Sequence, residues 1–153
     1  MTNRDILNRE LINDLFVRLF NQIIDIESGY MKAHGVKDLS ISELHLLDAI
    51  SSMSNPTMSK VAQKATLTNG SVTTAVKKLE EKKYVQRKKD EIDRRIMRVD
   101  LTTKGTKVCR VHREFHDEMV SQVCDNSNVL DDELLMKALR QLVYFFEEVK
   151  EKY

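Results

Sequence analysis

Tyr84-Val85-Gln86-Arg87 and Ile96-Met97-Arg98-Val99-Asp100-Leu101 are the two stretches whose reading decides the fold. The flanking sequence repeats its apolar residues at three- and four-residue steps. Here that period changes, and both stretches read as short β-strands. The charged segment Lys88 to Arg95 lies between them, which makes a hairpin with a long tip.

Upstream, the pattern is helical. Val72, Ala75 or Val76, and Leu79 predict one helix reaching to about Lys83, preceded by the turn Leu67-Thr68-Asn69-Gly70. Met58, Val61 and Ala62 predict a short helix before it, N-capped by Thr57 after the turn at Asn55-Pro56. Ser40-Ile41-Ser42-Glu43 matches a capping box and opens a helix to about Met53, with Leu44, Leu47, Ala49 and Ile50 inward. From about Ile6 to Ala33 one long helix carries two apolar stripes. Leu7, Leu11, Leu15, Leu19, Ile23 and Ile26 form one, and Ile12, Phe16, Phe20 and Ile24 the other. Two stripes on one helix call for burial on two sides, and a chain this small offers little to cover them, so a partner chain is expected. Downstream, Thr102 caps a helix to about Asp125. Asp131 caps a last one with Leu134, Leu135, Ala138, Leu139, Leu142, Val143, Phe146 and Val149 on its face.

The fold expected is mainly α with a small β-hairpin wing: a winged helix-turn-helix lobe over residues 39–102, between a dimerisation helix at 1–38 and dimerisation helices at 103–153. Four Gly and one Pro among 153 residues disfavour a turn-rich β architecture. No run approaches 18 apolar residues, so no membrane partner is expected. The polar, charged residues 1–10 lack the apolar core of a signal peptide, which places the chain in the cytoplasm. Cys109 and Cys124 sit 15 residues apart on one predicted helix. That is about 22 Å, too far for an intrachain disulfide.

Net charge is +1, which argues against a nucleic-acid partner only until its distribution is examined. Between Lys60 and Arg98 stand 12 basic and 5 acidic residues, a net of +7, so the remainder of the chain carries −6. A charge run by itself is usually a solvated face. This one coincides with two short helices and a hairpin, the electrostatic footprint of a duplex-DNA reader. Thr68, Asn69, Ser71, Thr73 and Thr74 are short donors and acceptors able to reach base edges and phosphates, although Thr68 and Asn69 also suit simple N-capping. Gly70 removes bulk near the helix start, where backbone N–H groups meet phosphate. Ser59, Lys60, Lys77, Lys78, Lys88, Lys89, Arg94 and Arg95 complete the candidate DNA-binding set.

Asp93-Arg94-Arg95-Ile96-Met97-Arg98-Val99-Asp100-Leu101-Thr102 resembles the wing signature of the MarR family of bacterial regulators. Ser71 to Thr73, with Leu79 to Arg87, resembles that family's recognition helix running into the wing. The resemblance implies an obligate homodimer reading a pseudo-palindromic operator, with half-sites about 34–36 Å apart. It places Arg94 in the minor groove, with Asp93 and Arg95 bracing the wing; otherwise that pair is a weak surface ion pair. Lys37 to His45, Gly70 to Thr74 and His112 to Val120 are similar to the family's fatty-acid-synthesis repressors, which implies long-chain acyl groups on acyl carrier protein as corepressor. No cofactor is otherwise required. Phe16, Phe20, Ile23, Val108, Val111, Phe115 and Met119 are then candidate pocket residues, although most are expected in the core of any family member.

A zinc-responsive repressor is the alternative. His112 and His116 are one helical turn apart, and with Glu27 and His45 they resemble one site of the family's zinc sensors. A second site in those sensors uses Cys and Glu where Ala33 and Leu44 stand here. The competing explanation is that these histidines are hydrogen-bonded polar residues. Peroxide sensing is less well supported, because the first helix contains no cysteine. A further alternative is an architectural protein that binds DNA without sequence preference. No nucleophile–base–orienter set is legible, so no enzyme is expected.

Overall fold

The computed structural model describes residues 2–125, 128–150 and 152. Its elements are α1 (Asn3–Ala33), α2 (Ile41–Ser51), α3 (Met58–Ala65), α4 (Asn69–Glu81), β1 (Val85–Lys89), β2 (Met97–Leu101), α5 (Thr103–Asp125), a 3-10 turn (Val129–Asp131) and α6 (Glu133–Lys150). The expected order of helices around one hairpin is therefore present. The chain forms two compact units that divide within α5: the first ends at Arg113 and the second begins at Glu114.

Local chemistry sets most element ends. Thr2 and Asp5 form a reciprocal capping box that starts α1 earlier than Ile6. Ser40 and Glu43 do the same for α2. Thr57 accepts from Lys60 N at α3, and Thr68 from Ser71 N at α4. Asn69 and Gly70, read from sequence as turn, are already helical. The turn itself is made by Thr66 in the left-handed region (φ 55°). Gly35 (φ +84°) closes α1, with Val36 N bonded to Met31 O as in a Schellman end. The cap of α6 is Asp132, which accepts from Leu135 N; Asp131 belongs to the preceding 3-10 turn.

In the first unit Leu47, Val61, Val76, Leu79 and Val99 have no exposed surface. Burying each contributes about 1.5–3 kcal/mol. Leu46, not expected inward, is buried, whereas Ala49 and Ala75 are only half-buried. The hairpin is antiparallel, with Val85 opposite Leu101, Arg87 opposite Val99 and Lys89 opposite Met97. Lys88 and Lys89 are thus strand residues rather than loop. A third segment joins its edge: Thr57 forms a bridge with Arg98, and Val99 N donates to Pro56 O (3.0 Å).

Two features tie the wing to α5. Thr102 Oγ1 accepts from Gly105 N and donates to Lys83 O (2.7 Å), so Thr102 caps α5 as expected. Gly105 packs directly on the hairpin: a Cβ there would lie 2.1 Å from Tyr84 O. Only glycine permits that approach.

The apolar stripes of α1 remain largely exposed, Leu7 and Phe20 by about two-thirds, whereas Ile24 is half-buried. In the second unit Leu134, Val143, Tyr144, Phe145 and Phe146 are exposed along α6. Among the described residues, no helix is long and apolar enough to cross a membrane.

Candidate nucleic-acid interface

α3, the turn at Thr66 and α4 make a helix-turn-helix. Val72, Val76 and Leu79 bury one side of α4, and this fixes what the other side offers. Thr68, Asn69, Gly70, Ser71, Thr73, Thr74, Lys77 and Lys78 are all exposed, as are Ser59 and Lys60 at the start of α3. Thr68 is the N-cap, so part of its hydrogen-bonding capacity is committed to the helix. The Thr73 and Thr74 hydroxyls donate to Asn69 O (2.7 Å) and Gly70 O (3.1 Å), so each oxygen keeps capacity to accept while the residue stays exposed. A helix surface of short polar groups and lysines fits the dimensions and chemistry of the major groove.

The basic footprint divides into charges that build the lobe and charges that face outward. Arg87 grips Glu80 through Nη2 (2.6 Å), Nε (2.9 Å) and its backbone N (3.0 Å). That grip holds the Glu80 carboxyl below the usual carboxylate range. Lys82 bonds Glu43 (2.8 Å), and Lys88 pairs with Asp100 (2.5 Å). Lys60, Lys64, Lys77, Lys78, Lys83, Lys89, Arg94 and Arg95 are exposed, and Lys77 lies at a long 3.9 Å from its i+4 neighbour Glu81.

At the wing, Arg94 is exposed on the tip. Arg95 forms a fork with Asp93, Nε to Oδ1 at 3.0 Å and Nη2 to Oδ2 at 2.9 Å. The fork keeps the Asp93 carboxyl below its ordinary range, yet the Arg95 side chain is 90% exposed. The pair built on a buried carboxylate in this hairpin is a different one. Asp90, 5% exposed, takes the Arg98 guanidinium on Oδ2 and the N–H groups of Ile92 (2.9 Å) and Asp93 (3.0 Å) on Oδ1. The Asp93 and Ile92 N–H groups, then Arg98, hold its carboxyl low. Arg98 also reaches Asn55 Oδ1 (2.9 Å). Sequence reasoning missed Asp90, Arg98 and Asn55 as a set. The available signal was Asp90 at the start of the tip, where an Asx turn accepts the N–H two residues on.

The histidine set gathers in part. Glu27 (α1), His45 (α2) and His112 (α5) place ligand atoms within 4.8 Å of one another. Glu27 Oε1 lies 2.7 Å from His112 Nε2 and 3.1 Å from His45 Nε2. Glu27 and His112 are buried, and His112 Nδ1 lies 3.7 Å from Asp48. Two imidazoles and a carboxylate are a donor set that suits zinc with open positions. The same distances also describe a hydrogen-bonded carboxylate between two imidazoles. His116 lies in the second unit, edge-on to Phe115 (5.0 Å).

Of the candidate pocket residues, Val108 and Val111 belong to the packed core and Phe115 is buried. Met119 is half-buried, and Phe16, Phe20 and Ile23 are exposed on α1. Cys109 is buried, and desolvation pushes its thiol up to about 11, so little thiolate forms near neutral pH.

A model of the MarR family matches residues 39–97, the helix-turn-helix and most of the wing. The chain is similar to Streptococcus pneumoniae FabT, solved in complex with DNA, at 33% identity. The match covers 92% of this chain and 99% of that one, with a TM-score of 0.86. It is 31% identical over 108 residues to the HTH-type transcriptional regulator SarZ of Staphylococcus epidermidis, covering 71% of each chain. To the regulator MhqR of Bacillus subtilis it is 27% identical over 124 residues, covering 78% of this chain and 83% of that one. The chain belongs to the MarR family of winged helix-turn-helix transcriptional regulators, proteins that bind DNA and are not enzymes.

Proposed function

We propose that this chain is a homodimeric, sequence-specific repressor of fatty-acid synthesis genes, acting in the cytoplasm on a pseudo-palindromic operator. The carrying observation is the outward face of α4, from Thr68 to Lys78, beside a wing that presents Arg94. In this reading α4 occupies the major groove and Arg94 the minor groove, with Ser59, Lys60, Lys89 and Arg95 on phosphates. Lys88, held by Asp100, contributes less. The exposed stripes of α1 and α6 support a homodimer, since exposed apolar area of this extent marks an interface.

Long-chain acyl groups on acyl carrier protein are the proposed corepressor. Similarity to FabT along nearly the whole chain supports this role. Phe16, Phe20 and Ile23 are exposed on α1 and would meet the acyl chain in this reading, whereas Val108 and Val111 already pack in the core. The test is selection of a binding site from random duplexes, then anisotropy titrations at fixed salt with and without acyl carrier protein carrying a long chain. The expected outcome is one palindrome held far tighter than random DNA, and tighter again with the acylated carrier. Equal affinity for all duplexes would instead indicate an architectural protein.

A second reading, a zinc-responsive repressor, is favoured by the convergence of Glu27, His45 and His112. Zinc would be held by these three side chains and would link α1, α2 and α5. Operator binding that responds to zinc and not to the acylated carrier would select this reading.

A further inference from the structure

The wing tip is a closed loop with one anchor. Asp90 N donates to Ile96 O (2.9 Å), and Ile96 N donates to Asp93 O (2.9 Å), which shuts residues 90–96 on themselves. Inside the loop, Asp90 Oδ1 gathers the N–H groups of Ile92 and Asp93. The same carboxylate's other oxygen takes Arg98, whose fork extends to Asn55 in the turn before α3. Asn55, Pro56 and Thr57 in turn pair along β2 through Arg98 and Val99. One buried carboxylate thus links the tip that carries Arg94 to the helix-turn-helix. Asp93–Arg95 has no such reach: both partners lie within the tip, and Arg95 extends into solvent.

We infer that Asp90, through Arg98 and Asn55, is the positioning group of the wing, setting where Arg94 meets DNA relative to α4. This rests on Arg94 contacting the operator as proposed above. A pair built on a buried carboxylate is less screened by salt and water than an exposed one, and the second contact of Arg98, to Asn55, fixes direction as well as distance. Asp93–Arg95 shapes the tip locally, while Asp90–Arg98 orients it.

The test is a double-mutant cycle on the full-length protein. Operator affinity is measured across a salt series for wild type, Arg94→Ala, Asp90→Asn and the double variant, with melting temperature followed in parallel. Asp90→Asn is chosen because the amide oxygen still accepts the turn N–H groups while the charge facing Arg98 is lost. Arg94→Ala should weaken binding about tenfold and lower the salt slope by about one. Asp90→Asn should reproduce both effects, and in the Arg94→Ala background it should cost less than about twofold, because the group it positions is gone. Additive losses, or wild-type affinity in Asp90→Asn alongside a weakened Arg94→Ala, overturn the positioning role. Wild-type affinity in Arg94→Ala overturns the wing reading itself, and the positioning role with it. Should Asp90→Asn fail to fold, Arg98→Lys serves, since a single ammonium cannot span Asp90 and Asn55 as the fork does; it must show the same non-additivity.

Discussion

The Tyr84 hydroxyl donates to Asp38 Oδ1 at 2.5 Å, joining the link between α4 and β1 to the segment between α1 and α2. The ring of Tyr84 is buried, and Lys104 Nζ sits 3.8 Å above its centroid. Lys104 also reaches Asp38 (3.4 Å) and Lys82 O (3.0 Å). Three segments distant in sequence therefore meet at one phenol. Burial and the Asp38 hydrogen bond push its ionisation well above the ordinary tyrosine range, so it remains a donor at any physiological pH. Tyr84→Phe keeps the ring and its cation but removes the donor. It should cost about 1.5 kcal/mol, the low end for a charged partner, because Asp38 is half exposed. Urea unfolding checks this.

The pH dependence follows from carboxylates whose folded values are depressed, Asp38 by the Tyr84 hydrogen bond and Glu80 by Arg87. Their stabilisation is complete above the unfolded carboxylate values of about 4, and is lost as pH falls through the lower folded values. Glu80→Gln should therefore be less stable than wild type at neutral pH, with the gap closing toward about pH 3 as wild type loses the same pair. Melting curves of both proteins across pH decide it; a gap that persists in acid would show that the loss is one of packing.

Gly105→Ala should be disruptive out of proportion to one methyl group. The new Cβ meets Tyr84 O, a backbone atom already bonded to Thr102 N (3.0 Å) and Thr102 Oγ1 (3.1 Å). Strand and helix cannot both stay in place, and the cost should be about 1–3 kcal/mol. Circular dichroism against urea would report it, with Gly29→Ala, which meets nothing within 4 Å, as the control.

On α4, Lys78→Ala and Asn69→Ala should separate the two kinds of DNA contact. Lys78, far along the helix and exposed, should act on phosphate, so its loss weakens all duplexes alike and lowers the salt slope by about one. Asn69, at the helix start, should act on base edges, so its loss narrows the gap between operator and random DNA. Anisotropy titrations with both duplexes at matched salt distinguish these outcomes. Identical behaviour of the two variants would remove the distinction.

Dimerisation through the exposed stripes predicts that Leu11→Glu or Leu139→Glu shifts the protein toward monomer and weakens operator binding. Neither substitution should unfold the winged lobe, whose core contains neither residue. Sedimentation equilibrium gives the mass, and residual helicity by circular dichroism gives the fold.

By itself the sequence determined the elements: the apolar period marked helices and hairpin, Ser40–Glu43, Thr57 and Thr102 marked helix starts, and the run from Lys60 to Arg98 marked the lobe that reads DNA. These are interactions within about one helical turn or along one strand, so they are written in neighbouring letters. Where two neighbours compete, as Asp131 and Asp132 do for the α6 cap, the letters pointed to Asp131 and the folded chain uses Asp132. Tertiary structure decided which charges serve the fold and which face outward. Arg98 joins Asp90 and Asn55, Lys82 joins Glu43, and Tyr84 joins Asp38, the longest of these across 46 residues. A count of basic residues treats Arg98 and Arg94 alike. Only the folded chain sets one against a buried carboxylate and leaves the other at the tip, because the energy of a charge depends on its surroundings in space and not on its place in the chain.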